Sequence, residues 1–299
     1  MGAGSDFSLR FWGVRGSIPT PGPDTVRYGG ETCCLEITVG EQTILIDAGS
    51  GLRRLGNVFA DAYGGGVVPC GDGVPSHILL THTHLDHICG LPFFYPGFLC
   101  RDRIQVLAGH LAPGERLCDH LRRVISPPVF PVDLDALGGI TTAEFRVGTP
   151  LDLDGLIVET VRLNHPGGAT GYRFDYQGRR LAVITDHEHG DAEIDRDVAR
   201  FVRDCDVMVY DAMYTDGEYD QRVGWGHSTI AKMLELAERS CVARPIVFHH
   251  LPERSDNALD AVAELVDRRH PGALVAREGS MIPIGVGHAV AQLAHAVRA

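Results

Sequence analysis

The chain has 299 residues, 44% of them hydrophobic, and a formal net charge of −12. That apolar content suffices for a large core, and no apolar run reaches the roughly 18 residues of a membrane span. The acidic balance disfavours non-specific contact with long polyanions, so no general nucleic-acid binding is expected.

Taken in chain order, strands are predicted over 9–14, 34–39, 43–48, 77–81 and 103–108. A helix follows over 114–125, with Leu117, Leu121 and Val124 on one face. Strands 156–163, 172–176 and 180–185 come next, then a helix over 192–205 carrying Ile194, Val198, Phe201 and Val202 together. Strand 206–210, helix 227–240, strand 245–250, helix 255–270 with Ser255 as its cap, and strand 280–286 complete the set. Loops 15–32 and 61–75 are rich in glycine and proline and longer than plain connections need. Strands first, then strands alternating with helices, predict α/β layers in which helices cover two packed sheets.

The N-terminus has no charged segment followed by an apolar one, so no secretory signal is read. Eight cysteines contain no Cys-x-x-Cys pair, which predicts reduced thiols in a cytoplasmic protein. Adjacent Cys33 and Cys34 are expected to point to opposite faces of a strand. The stretch 91–99, Leu-Pro-Phe-Phe-Tyr-Pro-Gly-Phe-Leu, reads as core or pocket wall.

Residues 81–87 are Thr-His-Thr-His-Leu-Asp-His. His82 and His84 differ by two, so on extended backbone both project to one side. Asp86 and His87 follow as the chain turns. Imidazole and carboxylate together suit Zn²⁺, and also Fe or Mn. Metal-capable residues recur at the ends of other apolar strands: His165 at a Pro-Gly-Gly turn, Asp186 after Leu-Ala-Val-Ile-Thr, and His249 and His250 after Pro-Ile-Val-Phe. This recurrence predicts one shared site. Adjacent strand residues face opposite ways, so one of His249 and His250 is the expected ligand. His77, His110, His120, His270 and His288 read as structural or solvated, and so do His187 and His189 beside Asp186.

On these residues the sequence resembles the metallo-β-lactamase fold superfamily, whose His-x-His-x-Asp-His hallmark stands here as His82, His84, Asp86 and His87. The resemblance spans almost the whole chain. It implies a four-layer αββα sandwich, two mixed sheets flanked by helices, as a single domain over 1–299. It implies two divalent ions at one edge of the sheets, zinc first and manganese or iron as alternatives. His82, His84 and His165 would hold one ion, and Asp86, His87 and a final His the other, with Asp186 bridging. The family pattern favours His250 as the final ligand, with His249 the alternative. Asp47 would sit behind the ligands and fix an imidazole.

The segments Phe-Trp-Gly-Val-Arg-Gly-Ser-Ile-Pro and Tyr-Gly-Gly-Glu-Thr resemble the opening of the phosphodiesterase-like branch, related to class II cyclic-nucleotide phosphodiesterases and ribonuclease Z. Arg15, Arg27 or Tyr28 would then bind a phosphate. Residues 224–250 resemble the ribonuclease Z segment in which Gly-His-Ser-Thr opens a helix, which would make His227 an aid to the leaving oxygen. One departure stands out. Where ribonuclease Z carries His-Glu-Ala-Thr, this chain has Tyr210-Asp211-Ala212-Met213, and no long inserted arm for transfer RNA is visible. The expectation is therefore a metal-dependent hydrolase using a bridging hydroxide, oriented by Asp86, on a small phosphodiester such as a cyclic nucleotide. A lactonase or thioesterase on the same site and a non-catalytic ligand-binding module are the alternatives. The expected partner is a small-molecule substrate, with no membrane; a homodimer is left open.

Overall fold

The computed structural model describes residues 6–62, 74–99 and 104–285. In the first sheet β1 (Phe7–Gly13), β2 (Cys34–Val39) and β3 (Gln42–Ile46) pair antiparallel. From β3 the sheet continues in parallel through β4 (His77–Leu80), β5 (Ile104–Ala108) and β6 (Ile140–Glu144). The second sheet repeats this plan. Its antiparallel part is β7 (Leu151–Leu153), β8 (Leu156–Leu163), β9 (Ala169–Tyr176) and β10 (Arg179–Ile184). Its parallel part adds β11 (Val207–Asp211), β12 (Pro245–Phe248) and β13 (Leu274–Val275). Finally β14 (Met281–Pro283) returns to the first sheet and pairs with β1.

Period-two alternation explains why the sheets stack. Leu181 and Val183 of β10 join Phe7, Leu9 and Phe11 of β1 in the core between the sheets, while Ala182 and Ile184 point to the outer face. That outer face is covered by α5 (Ala192–Phe201), α7 (Ile230–Arg239) and α8 (Asp256–Arg269) through Val198, Met233, Leu234 and Val262. The outer face of the first sheet is covered by α1 (Gly51–Ala62) and α4 (Leu117–Arg122) through Leu52, Leu55, Leu117 and Leu121. Three single-turn helices lie in connections: α2 (Leu85–Ile88), α3 (Pro96–Leu99) and α6 (Asp216–Tyr219). The result is the expected αββα sandwich.

Local signals decide most ends. Ser255 caps α8 by accepting from Ala258 N, Thr229 caps α7, and Asp191 caps α5 through Glu193 N and Ile194 N. Cys33 lies in the inter-sheet core and Cys34 beneath α1, on opposite faces as expected. Phe94 is buried in the 91–99 stretch, whereas Phe93 and Phe98 are exposed.

Several elements differ from expectation. The helix expected over 114–125 shrinks to α4, because Arg116 is extended and the chain leaves helical geometry after Arg123. The sequence reading places no helix at α1 and no strand at β6 or β7. Gly51 and Gly56 weaken the α1 signal, yet packing requires them small: a Cβ on Gly51 would meet Trp12 O at 2.6 Å. Most of the 61–75 loop falls outside the described residues. Among those described, no helix is long and apolar enough to cross a membrane.

Candidate metal centre

The first donor set grows from the end of β4. The chain bends at Thr81, is extended at His84, and brings the His82 and His84 rings together, 4.4 Å between centroids. His165, just past β8, closes on them with Nε2 3.0 Å from His84 Nδ1. Its Nδ1 donates to Gly226 O at 2.8 Å, which leaves the Nε2 lone pair facing the set. Gly226 sits at φ 88°, and a Cβ there would lie 2.2 Å from His165 Nδ1. Both the backbone and the space demand glycine.

The second set grows from α2. His87 Nδ1 donates to Asp47 Oδ2 at 2.8 Å, so its Nε2 is free to accept. Asp47 also takes Thr81 N at 2.7 Å. Asp86 Oδ2 accepts from Ser17 N at 2.7 Å, which fixes the carboxylate. His249 Nε2 lies 3.4 Å from that same Oδ2, and His87 Nε2 lies 3.3 Å from it.

Asp186 joins the two sets. Its Oδ2 is 3.7 Å from both His82 Nε2 and His165 Nε2. Its Oδ1 is 3.3 Å from His87 Nε2 and 3.2 Å from His249 Nε2. Burial would raise this carboxyl, but His249, His87 and His82 around it hold it well below the usual carboxylate range.

These spacings fit a metal. Two donors bound to one zinc at about 2.1 Å in a tetrahedral array stand roughly 3.4 Å apart. His82, His87 and His249 each bury an Nε2 with no hydrogen-bond partner. A buried polar atom left so costs about 1–3 kcal/mol, a cost a coordinated cation removes. Imidazole and carboxylate donors are those of a divalent-metal site.

The structure corrects the expected final ligand. His250 turns away, its Nε2 donating to Ala276 O at 2.9 Å and its ring edge-on to Tyr28. His249 takes the place in the cluster. Strand β12 ends at Phe248, and His249 adopts a left-handed φ of 59°, so strand alternation no longer governs where its ring points. The phosphate-binding expectation for Arg15, Arg27 and Tyr28 also fails. Arg15 is fully buried, its Nε on Gly29 O and its Nη1 on Leu251 O and Arg254 O, where it staples the 15–32 loop to the segment after β12. Arg27 is committed to Asn257 and Asp260 of α8, and the Tyr28 hydroxyl donates to Asp260 at 3.0 Å. His187 and His189 stay outside the donor sets: His187 Nδ1 accepts from Asn164 N, and His189 pairs with Ser228 and Tyr210.

His227 stands beside the donor sets, and two carboxylates without a motif, Asp211 and Glu188, support it and its neighbours. His227 Nδ1 donates to Asp211 Oδ2 at 2.9 Å, and its ring stacks on His249 at 4.9 Å. Burial lowers the His227 pKa, but the Asp211 charge and hydrogen bond outweigh it and raise it to about 9. Asp211 ends β11 at the position of the glutamate in His-Glu-Ala-Thr, so the missing histidine removes less than the sequence implies. Buried Glu188 accepts from Gly224 N at 2.6 Å, Gly226 N at 2.7 Å and Tyr219 OH at 2.6 Å. It thereby holds the loop whose carbonyl orients His165. Cys33 approaches His87 and His249, but burial pushes its thiol well up and it points to Arg15 O.

Fold and donor set define a metal-dependent hydrolase. A family model described as the beta-lactamase superfamily domain matches residues 42–250, and the chain belongs to that family. Ribonuclease Z of Bradyrhizobium diazoefficiens is 24% identical over 316 aligned residues, covering 86% of this chain and 94% of that protein. Among solved structures, the metallo-beta-lactamase fold protein YhfI of Bacillus subtilis matches with a TM-score of 0.67, at 14% identity, over 94% of this chain and 100% of its own. A diphosphatase of the PhnP family matches with a TM-score of 0.64, at 19% identity, over 92% and 97%. The resemblance to the phosphodiesterase-like branch therefore holds.

Two outcomes test the site. His249→Ala loses at least one metal equivalent by elemental analysis after dialysis, whereas His250→Gln keeps the wild-type content. Asp47→Asn weakens metal affinity about 10- to 100-fold in a chelator competition, since the His87 tautomer is no longer imposed. In addition, Arg15→Met lowers unfolding stability by about 2–4 kcal/mol through its lost buried hydrogen bonds while leaving metal content intact.

Proposed function

We propose that the protein is a phosphodiesterase with two divalent ions, zinc by donor preference, acting on a small phosphodiester such as a cyclic nucleotide. One observation carries the reading: two donor sets share Asp186, and the His227–Asp211 pair lies directly beside them. His82, His84 and His165 would hold one ion and Asp86, His87 and His249 the other. Ions bound there would supply Lewis acidity and a water of lowered pKa at neutral pH.

The chain's own groups do the rest. Asp86, fixed by Ser17 N, presents an acceptor oxygen for a proton of the attacking water. Asp211 accepts from His227 Nδ1 at 2.9 Å and so stabilises the imidazolium form of this ring. Its Nε2–H is then available to the leaving oxygen, and Asp211 fixes the ring so that the donated proton is that one. Asp211 is itself oriented by His187 N and Met213 N.

The curated relative supports phosphodiester chemistry, since its name is that of a ribonuclease. The substrate proposed here is smaller than an RNA because the net charge of −12 opposes a long polyanion. Lactone and thioester hydrolysis on the same site would make little use of an imidazolium held ready for a poor leaving group.

The test is hydrolysis of cyclic nucleotides and of a chromogenic phosphodiester by metal-stripped protein reloaded with Zn²⁺ or Mn²⁺. Turnover returns only with metal. His227→Ala lowers kcat about 10²- to 10⁴-fold with metal content unchanged. Turnover of lactones or thioesters, but not phosphodiesters, by the loaded protein would overturn the proposal.

A further inference from the structure

The chain has two tryptophans, and they are used in opposite ways. Trp12 is buried and donates to Glu36 at 2.6 Å. Trp225 stands 60% exposed beside the metal centre, one residue before the glycine whose carbonyl holds His165 and two before His227. We propose that Trp225, with Arg222, is a stacking platform for the base of a nucleoside phosphodiester. This rests on the phosphodiesterase reading above and narrows its substrate to one that carries a nucleobase.

The exposure is deliberate in energetic terms. A large aromatic side chain left in water forfeits its burial, so an exposed one on a rigid support points to a use. The support here is rigid. Glu188 clamps the amides of Gly224 and Gly226 on either side of Trp225, and Trp225 N donates to Arg222 O at 3.1 Å. The backbone under the ring is therefore fixed, and only two side-chain torsions remain to be ordered when a ligand stacks.

The surroundings fit a base joined to a phosphate. The Arg222 guanidinium lies 6.0 Å from the Trp225 ring centre and 5.3 Å from that of Tyr214. It places a cation next to a flat π surface, the combination that binds stacked bases and their backbone together. Exposed Val223 adjoins the platform, and exposed Leu85 and Ile18 flank Asp86 and its Ser17 contact. A nucleoside whose phosphate reaches the donor sets and whose leaving oxygen faces His227 would carry its base, on the ribose, toward the Trp225 ring.

Kinetics on the metal-loaded protein test this. The probes are cyclic adenosine monophosphate and the base-free cyclic ribose phosphate, with products followed by phosphorus NMR. The readout is the preference, the ratio of kcat/KM for the first over the second. We expect the preference to fall about 10- to 100-fold in Trp225→Ala and to survive in Trp225→Phe, which keeps an aromatic face. A binding readout accompanies it: adenosine monophosphate quenches the fluorescence of wild-type protein, and Trp225→Phe abolishes the quenching because buried Trp12 does not respond. A wild-type preference near unity, or one that Trp225→Ala leaves intact, overturns the platform while the phosphodiesterase reading stands. Failure of the wild-type protein to cleave either phosphodiester overturns both.

Discussion

The Asp186 carboxylate is the constraint on which the centre depends. It is almost fully buried, and its two oxygens face two different groups of imidazoles. Thr185 Oγ1 donates to Oδ1 at 2.7 Å and fixes the carboxylate plane. A buried carboxylate is tolerated only where positive charge or donors compensate it. Here Thr185 supplies the donor, and the positive charge would come from the ions held by His82, His87, His165 and His249, which arrive from three strand ends and one helix turn. Removing Asp186 would leave two donor sets with no shared member and no reason to stand so close.

The backbone is bent to satisfy that constraint. Asp47, Asp186 and His249 all lie just past strand ends with left-handed φ of 62°, 58° and 59°. Each such non-glycine residue costs about 1–2 kcal/mol. The strain rotates side chains off the strand direction and into the space between the two sheets' edges. Close approach does the remaining work: a Cβ on Gly16 would meet the His249 ring at 2.4 Å, and one on Gly49 would meet Asp86 O at 2.3 Å. Local stability is given up at the site and recovered in the apolar layers behind it.

This division also separates what the sequence makes legible from what it hides. Apolar alternation and helix caps announce β2, β8 and α8 directly, because each is set by its own residues. The His82–His87 run and the strand-end positions of His165 and Asp186 are legible for the same reason. His249 is not, since alternation assumes a strand that the left-handed turn has already ended. Arg15, Arg27 and Tyr28 mislead because a cation or phenol in a glycine-rich loop has the composition of a phosphate contact. Their partners on α8 and after β12 are more than 200 residues away, at separations of 228 to 239 in the bonds that tie them. Glu188 and Trp225 carry no spacing signal at all, and their roles emerge only when the loop between α6 and α7 folds back over His165.

Charge balance is the last step and links the site to its substrate. Asp47, Asp86, Asp186 and Asp211 bury four carboxylates around the centre. Two bound dications would offset their formal charge. The phosphodiester proposed above carries one negative charge at neutral pH and would find its cationic partners in those ions and in the His227 ring that Asp211 holds. On that reading the net charge of −12 acts in the same direction, since it opposes a long polyanion more than a compact monoanion.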